Sequence, residues 1–252
     1  MHVPDGFIDA PVSLAAGAVA AAGLAVCLRG ARRELDDRAA PLAGLVAAFV
    51  FAAQMLNFPV AAGTSGHLLG GALAAILVGP WTGALCVSVV LIVQALLFAD
   101  GGITALGVNV TTMGLVTVVV GYAVFRGIVK ILPYGRSTTV ASAFVAAAVS
   151  VPVSALAFVG FFAIGGTADV SIGKVAAAMV GVHVLIGIGE AVITALTVGS
   201  VIAVRPDLVA GVRDRIPKPR LWADSPTAAA ALTAPVQATV PTQGSPSAEV
   251  AP

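Results

Sequence analysis

The first two residues of the sequence "MHVPDGFIDAP" are the ones best suited to chemistry. A free α-amine followed by histidine is a chelator. The Met1 amine and the His2 amide nitrogen close a five-membered ring on a metal ion, and that amide nitrogen and His2 Nδ1 close a six-membered one. Three nitrogens then share a plane with a fourth position open. Nickel(II) and copper(II) favour planar nitrogen sites, and low-spin cobalt(II) accepts the same geometry. The amide must lose its proton, so binding releases protons. The arrangement needs Met1 retained and unblocked, and the bulk of His2 favours retention. The plain alternative is an exposed terminal histidine of no consequence.

The sequence has three histidines. His67 ends the polar stretch "NFPVAAGTSGH" (57–67) and could supply the fourth nitrogen; alternatively it is a helix-end histidine with a local hydrogen bond. His183 lies in "GVHVLIGIGEAV", with Glu190 seven residues on, two helical turns away on the same face. Ionisable groups inside a membrane are costly and mark function, so this pair either shapes the site or holds helices together. Cys27 and Cys86 sit in apolar runs and read as small buried hydrophobes rather than a disulfide or thiolate site.

The elements that must position these residues are membrane helices. Mean hydropathy is +1.04 and only 10% of residues are charged, against roughly 25% in a soluble domain. The net charge of +1 gives no reason to expect a nucleic-acid partner. Apolar runs predict an all-α integral membrane protein with about seven transmembrane helices, near 11–28, 41–57, 68–79, 81–98, 103–125, 137–164 and 175–204. "VGPW" interrupts the run from Leu68 to Phe98, because proline removes a helix hydrogen bond and clashes with the turn before it. Either one kinked helix or a hairpin of two results. Charge selects the hairpin. With seven spans and the amino terminus outside, 12 of the 13 Lys and Arg residues fall on the inner side and only Lys174 outside, as the positive-inside rule favours. Fusing the third and fourth spans would move Arg126, Lys130 and Arg136 outside.

The predicted organisation is a membrane domain over 1–204, with a metal-binding segment at 1–10, and a cytoplasmic tail over 205–252. From Ser225 the tail is rich in Ala, Thr, Pro and Ser and is expected to be largely disordered. No Lys or Arg precedes Arg29, so the amino terminus reads as mature rather than as a signal peptide. This topology gathers the polar features, including Asp100–Gly102 and "GGTADVSIG", on the outer face.

The pieces "MHVPDGFID", "AAQMLNFPVAAGTSGHLLGG", "DGGITALGVNVTTMG" and "GVHVLIGIGEAVIT" occur in order along residues 1–204, which resemble the CbiM/NikM family. Members are the substrate-capturing membrane components of energy-coupling factor importers for cobalt and nickel. The resemblance implies that the amino-terminal segment folds back into the membrane domain. The metal would then be held by the Met1 amine, the His2 amide and imidazole, and the His67 imidazole. Asn57, Thr64 and Ser65, with Gln54 and Phe58 nearby, would surround the site, where polar groups orient ligands. His183 and Glu190 are candidates for the same supporting role. Asp5 could accept a bond from the terminal segment, and Asn109 and Thr111 lie near the same face.

The resemblance also implies partners: a transmembrane coupling subunit, two ATPase subunits and, in some members, a small two-span accessory protein with a "PDGLE"-like motif. That motif is absent from the sequence, and nothing after Ile202 reads as a span. No phosphate-binding Gly-x-x-x-x-Gly-Lys loop occurs, so the chain is not expected to be an enzyme. No cofactor is expected beyond the transported Co2+ or Ni2+. Cobalt is the expected cargo, for cobalamin biosynthesis, with nickel as the alternative. The expected location is the bacterial inner (plasma) membrane, with the lipid bilayer itself a partner. "GTSG" (63–66) would also fit an intramembrane serine protease using Ser65 and His183, but that leaves "MH" unexplained. A vitamin-binding component would need aromatic residues that the outer half lacks. Small-residue ridges at Ala43/Ala47 and Gly44/Ala48 could dock a coupling subunit or pack inside the bundle.

Overall fold

The computed structural model describes residues 1–36, 39–56, 58–59 and 65–216. Its helices are α1 (Ala10–Glu34), α2 (Ala39–Gln54), α3 (Gly71–Val78), α4 (Pro80–Leu97), α5 (Leu106–Asn109), α6 (Thr117–Ile131), α7 (Arg136–Gly165) and α8 (Ile172–Val204). A π-helical stretch, Val110–Val116, joins α5 to α6, so Leu106–Ile131 runs as one helical segment. Two short strands, β1 (Phe58–Pro59) and β2 (Ser65–Gly66), pair antiparallel. Among the described residues, α1, α4, Leu106–Ile131, α7 and α8 are long and apolar enough to cross a membrane. Large apolar side chains such as Leu14, Leu45, Leu97, Ile164 and Leu196 point outward, as a lipid-facing surface requires.

Each apolar run anticipated from the sequence carries helix, but the third is much shorter than a span. At eight residues α3 is about 12 Å long. All of its residues are buried, and it packs against α2, α4, α6, α7 and α8 as the central post of the bundle. The chain reverses after it. Gly79 adopts φ +96°, which a residue with a Cβ rarely takes, and Pro80 opens α4. Gly83 then lies so close to α3 that an added Cβ would stand 2.7 Å from the Ala75 nitrogen. Residues eight apart in one straight helix could not touch, so the hairpin form of "VGPW" is the one adopted. The Glu34 carboxylate accepts from the backbone nitrogens of Trp81 (3.3 Å) and Thr82 (2.7 Å), capping the start of α4.

Irregular helix is compensated by neighbours. Pro152 interrupts the bonding of α7, and Gly187 of α8 lies beside it and the Ala148 carbonyl. In the π-helical stretch, the Thr112 carbonyl accepts from Ser154 Oγ at 2.7 Å. Beyond α8 the chain stays folded to Ile216, past the anticipated domain end at 204. Two 3-10 turns, Pro206–Leu208 and Ala210–Arg215, bury Val209 and Val212. Arg126 of α6 fastens them, donating to both Asp214 carboxylate oxygens and to the Gly211 carbonyl, each at 2.8 Å. The anticipated tail from 217 onward lies outside the described residues. The two small-residue ridges separate. Ala43 is buried and its carbonyl receives Cys86 Sγ at 3.5 Å, whereas Gly44 and Ala48 face outward. Cys27 and Cys86 are free and buried.

The tight α3–α4 hairpin makes a direct prediction. Gly83→Ala should destabilise the protein by about 1–3 kcal/mol through overpacking, read as a lower midpoint of thermal unfolding in detergent. Gly160→Ala, where a Cβ meets nothing within 4 Å, should leave the midpoint unchanged or slightly raised.

Candidate metal-capture site

The first nine residues are not helical, so every one of their backbone groups that enters the bundle needs a partner. The partners come from two loops and a helix. Asn109 Oδ1 accepts from the Val3 nitrogen at 2.8 Å, and Asn109 Nδ2 donates back to the Val3 carbonyl at 3.2 Å. That carbonyl also accepts from the Gly102 nitrogen at 2.8 Å. Asp5 Oδ1 accepts from the nitrogen and hydroxyl of Thr104 at 2.7 and 2.6 Å, which hold its carboxyl below the ordinary carboxylate range. Gly102 is required here, since an added Cβ would sit 2.3 Å from the Asp5 nitrogen. Thr167 donates its hydroxyl to the Gly6 carbonyl at 2.6 Å and its nitrogen to the Phe7 carbonyl at 3.1 Å. Ile8 bridges to Gly166, Asp9 donates its backbone nitrogen to the Gly165 carbonyl, and the Asp9 side chain caps α1.

Thus anchored, the segment inserts its amino end. Met1, His2 and Val3 are all buried, and Met1, His2, Val3, Pro4, Phe7, Phe158 and Met179 line a narrow crevice. Burial pushes the Met1 amine down to about 4, against the opposing pull of the Asp100 carboxylate. Above that value the amine is neutral and its lone pair is available, so it is in donor form at neutral pH.

His67 meets His2 there. Their rings stack with centroids 4.4 Å apart and planes inclined by 25°. His67 is fully buried. Its Nδ1 lies 2.8 Å from the Leu68 carbonyl, which assigns the proton to Nδ1 and the lone pair to Nε2. Among the described residues no group bonds to Nε2. Burial, and then the nearby amine and His2, hold the His67 ring well below the usual histidine range, in its neutral, ligating form. Face-to-face rings do not aim two nitrogens at one point, so a shared ion requires the His2 ring to turn. Among the described residues no three His, Cys, Asp or Glu side chains form a metal cluster; the nitrogen donors at hand are main-chain nitrogens together with two imidazoles.

The supporting residues divide. Glu190 accepts from the backbone nitrogens of Leu69 (2.6 Å) and Gly70 (3.0 Å), and Gln54 Nε2 donates to the Leu69 carbonyl at 2.7 Å. Gly70 takes φ +76° ahead of α3. Glu190 therefore acts on the His67 loop through its backbone. His183, fully buried on the same helix, has Nδ1 2.7 Å from the Met179 carbonyl, and its Nε2 has no partner among the described residues. Asn57 and Thr64 lie outside the described residues; Ser65 contributes its backbone to β2. Thr111 is buried in the π-helical stretch. Asp100 was not singled out from the sequence. Its Oδ1 stands 2.9 Å from His2 Nδ1. The available signal was an acid followed by two glycines at the end of an apolar run.

Fold and site together define an all-helical, multi-pass membrane protein with a buried nitrogen-rich pocket at its amino end. The chain belongs to the CbiM family, described as the cobalt uptake substrate-specific transmembrane region, whose model matches residues 2–208. It is 44% identical over 211 residues to a protein of Haloquadratum walsbyi named for metal transport, covering 83% of this chain and 93% of that one. It is also 44% identical over 211 residues to a protein of Archaeoglobus fulgidus named as a fused nickel transport protein, NikMN, covering 83% of this chain and 68% of that one. The crystal structure of a truncated transition metal transporter superimposes with a TM-score of 0.71 at 28% identity, covering 81% of this chain and 99% of that one. The protein is thus a membrane component of cobalt or nickel transport, and its relatives point to a non-enzymatic role.

Glu190→Gln should loosen the His67 loop, because one amide oxygen cannot replace two carboxylate oxygens and a buried N–H is left unpaired. The expected loss is about 1–3 kcal/mol. Hydrogen exchange at Leu69 and Gly70 should accelerate, and metal affinity should fall as the His67 loop loosens.

Proposed function

We propose that the chain is the substrate-capturing component of an energy-coupled importer. It takes Co2+, or alternatively Ni2+, from outside the cell into a planar nitrogen site made by the Met1 amine, the His2 amide and Nδ1, and His67 Nε2. The observation that carries this reading is the burial of Met1 and His2 in ring contact with His67. Nothing in the folding of a helical bundle calls for a non-helical terminus inside it, whereas a chelate that excludes water does. The neutral amine and neutral His67 are in ligating form at neutral pH. The His2 amide would release its proton as the ion binds. Glu190 and Gln54 hold the His67 side, while Asn109, Asp5 and Thr167 hold the amino-terminal side.

Concentrating a scarce cation needs energy that a binding site alone does not supply. A transmembrane coupling subunit and two ATPases fill that role in this reading, with a two-span accessory protein as a further partner. The chain would cross the cell membrane seven times, the third crossing made by α3 together with the non-helical residues 65–70 before it and the fourth by α4, with the amino terminus outside. Cobalamin synthesis is the proposed use of the metal. Release inward requires the amino-terminal segment and His67 to part, because four nitrogens in a plane otherwise let go slowly.

The test is an added residue before Met1, which converts the amine to an amide. Cobalt and nickel bound to the purified protein should fall to background, as they should in His67→Ala, while a tag after Pro252 leaves binding intact. Unchanged binding with the extension would rule out the amino-terminal site. Labelled metal uptake into proteoliposomes should require the coupling subunit and ATPases; concentrative uptake by the chain alone would contradict the dependence on partners.

A further inference from the structure

We propose that Asp100 belongs to the capture site, its carboxylate balancing the charge of the bound cation. The inference rests on the planar-site reading above. A divalent ion held by a neutral amine, a deprotonated amide and two neutral imidazoles leaves one net positive charge. The ligating groups are enclosed: Met1, His2 and His67 are 2%, 8% and 0% exposed, with the Asp100 side chain at 20%. An uncompensated charge in such surroundings is strongly disfavoured. A carboxylate beside the ion removes that penalty and would make the pocket discriminate by cation charge.

Geometry places Asp100 for this role. Its Oδ1 lies 2.9 Å from His2 Nδ1, the ring nitrogen the chelate uses. Two donors at right angles around one ion, each roughly 2.0–2.1 Å from it, are separated by about the same distance. The carboxylate thus stands beside the chelating ring and, once that ring turns to share an ion with His67, is within reach of the open face of the nitrogen plane. Three other acids accept backbone hydrogen bonds. Asp5 holds Thr104, Asp9 caps α1, and Glu190 holds Leu69 and Gly70.

The turn that carries Asp100 is built at a conformational cost. Ala99 takes φ +52°, unusual for a residue with a Cβ, and Gly101 takes φ +95°. The Asp100 nitrogen donates to the Gln94 carbonyl at 3.1 Å. A Cβ at Gly101 would stand 3.2 Å from His2 Cδ2, so the turn lies directly against the ring. Strain of this kind persists where the surroundings demand a fixed side-chain position.

The experiment compares wild type, Asp100→Asn, Asp100→Glu and the amino-terminal extension, all in full-length protein with the metal ion alone as probe. Affinity for Co2+ and Ni2+, the ligand-field spectrum of the bound ion and the apo unfolding midpoint are measured. Asp100→Asn should bind roughly 10- to 100-fold more weakly with a shifted spectrum and an unchanged apo midpoint, and Asp100→Glu should recover several-fold of the loss. Wild-type affinity and spectrum in Asp100→Asn, with binding lost on extension, would overturn this inference alone. Equal loss in Asn and Glu with an unshifted spectrum would also overturn it, marking Asp100 as a packing residue. Binding that survives the extension would remove the planar site and this inference together.

Discussion

A non-helical stretch of backbone sits inside an apolar bundle, and the rest of the architecture answers to that constraint. Residues 1–3 and Ile8 bring main-chain donors and acceptors into the buried interior, while Pro4, Asp5 and Gly6 stay exposed. Asn109 reads both backbone groups of Val3, as a neighbouring strand would. The loop after α4 offers Gly102 and Thr104, and the loop between α7 and α8 offers Thr167, together with Gly165 at the end of α7. Remove these partners and the amino end has no reason to stay buried. With it buried, the amine is held in its neutral form at neutral pH.

The site is made of two separately anchored halves. The amino-terminal half hangs from α5 and the loops that follow α4 and α7. The other half is the His67 loop, tied by Glu190 of α8 and Gln54 of α2 to the start of α3. Because α3 is short and wholly enclosed, it couples that loop mechanically to the helices around it. At its far end, Gly211 of the second 3-10 turn lies against the Ile76 carbonyl and Phe125. A movement among α2, α6 and α8 would thus be felt at His67, while the amino-terminal half is held by other elements. That division would let the two halves part in the release step proposed above.

Much of this was legible in the sequence. Long apolar runs ended by Gly, Pro and charged residues place the helices well, because lipid demands length and apolarity above all. The break at Gly79–Pro80 and the burial of His2 beside His67 were likewise readable, the latter from the types of residue and the family pieces in order. What was hidden depends on three-dimensional approach. Glu190 and His183 share a helix face, which suggested a common task, yet one holds the His67 loop and the other turns to its own helix's carbonyl. Asp100 read as part of a polar outer turn; only the positive φ of Ala99 and Gly101 sets it against His2. The fold of 206–215 was obscured by the polar tail that follows, since two buried valines are a weak periodic signal.

The central claim is that the chain's own first nitrogen binds the transported ion. Anomalous diffraction at the cobalt or nickel edge, from crystals of the native-start protein loaded with that metal, tests it most directly. The account predicts a single strong peak within bonding distance of the Met1 amine, the His2 amide nitrogen and the His67 ring. A peak lying instead between His183 and Glu190, with Met1 beyond bonding distance, would contradict it.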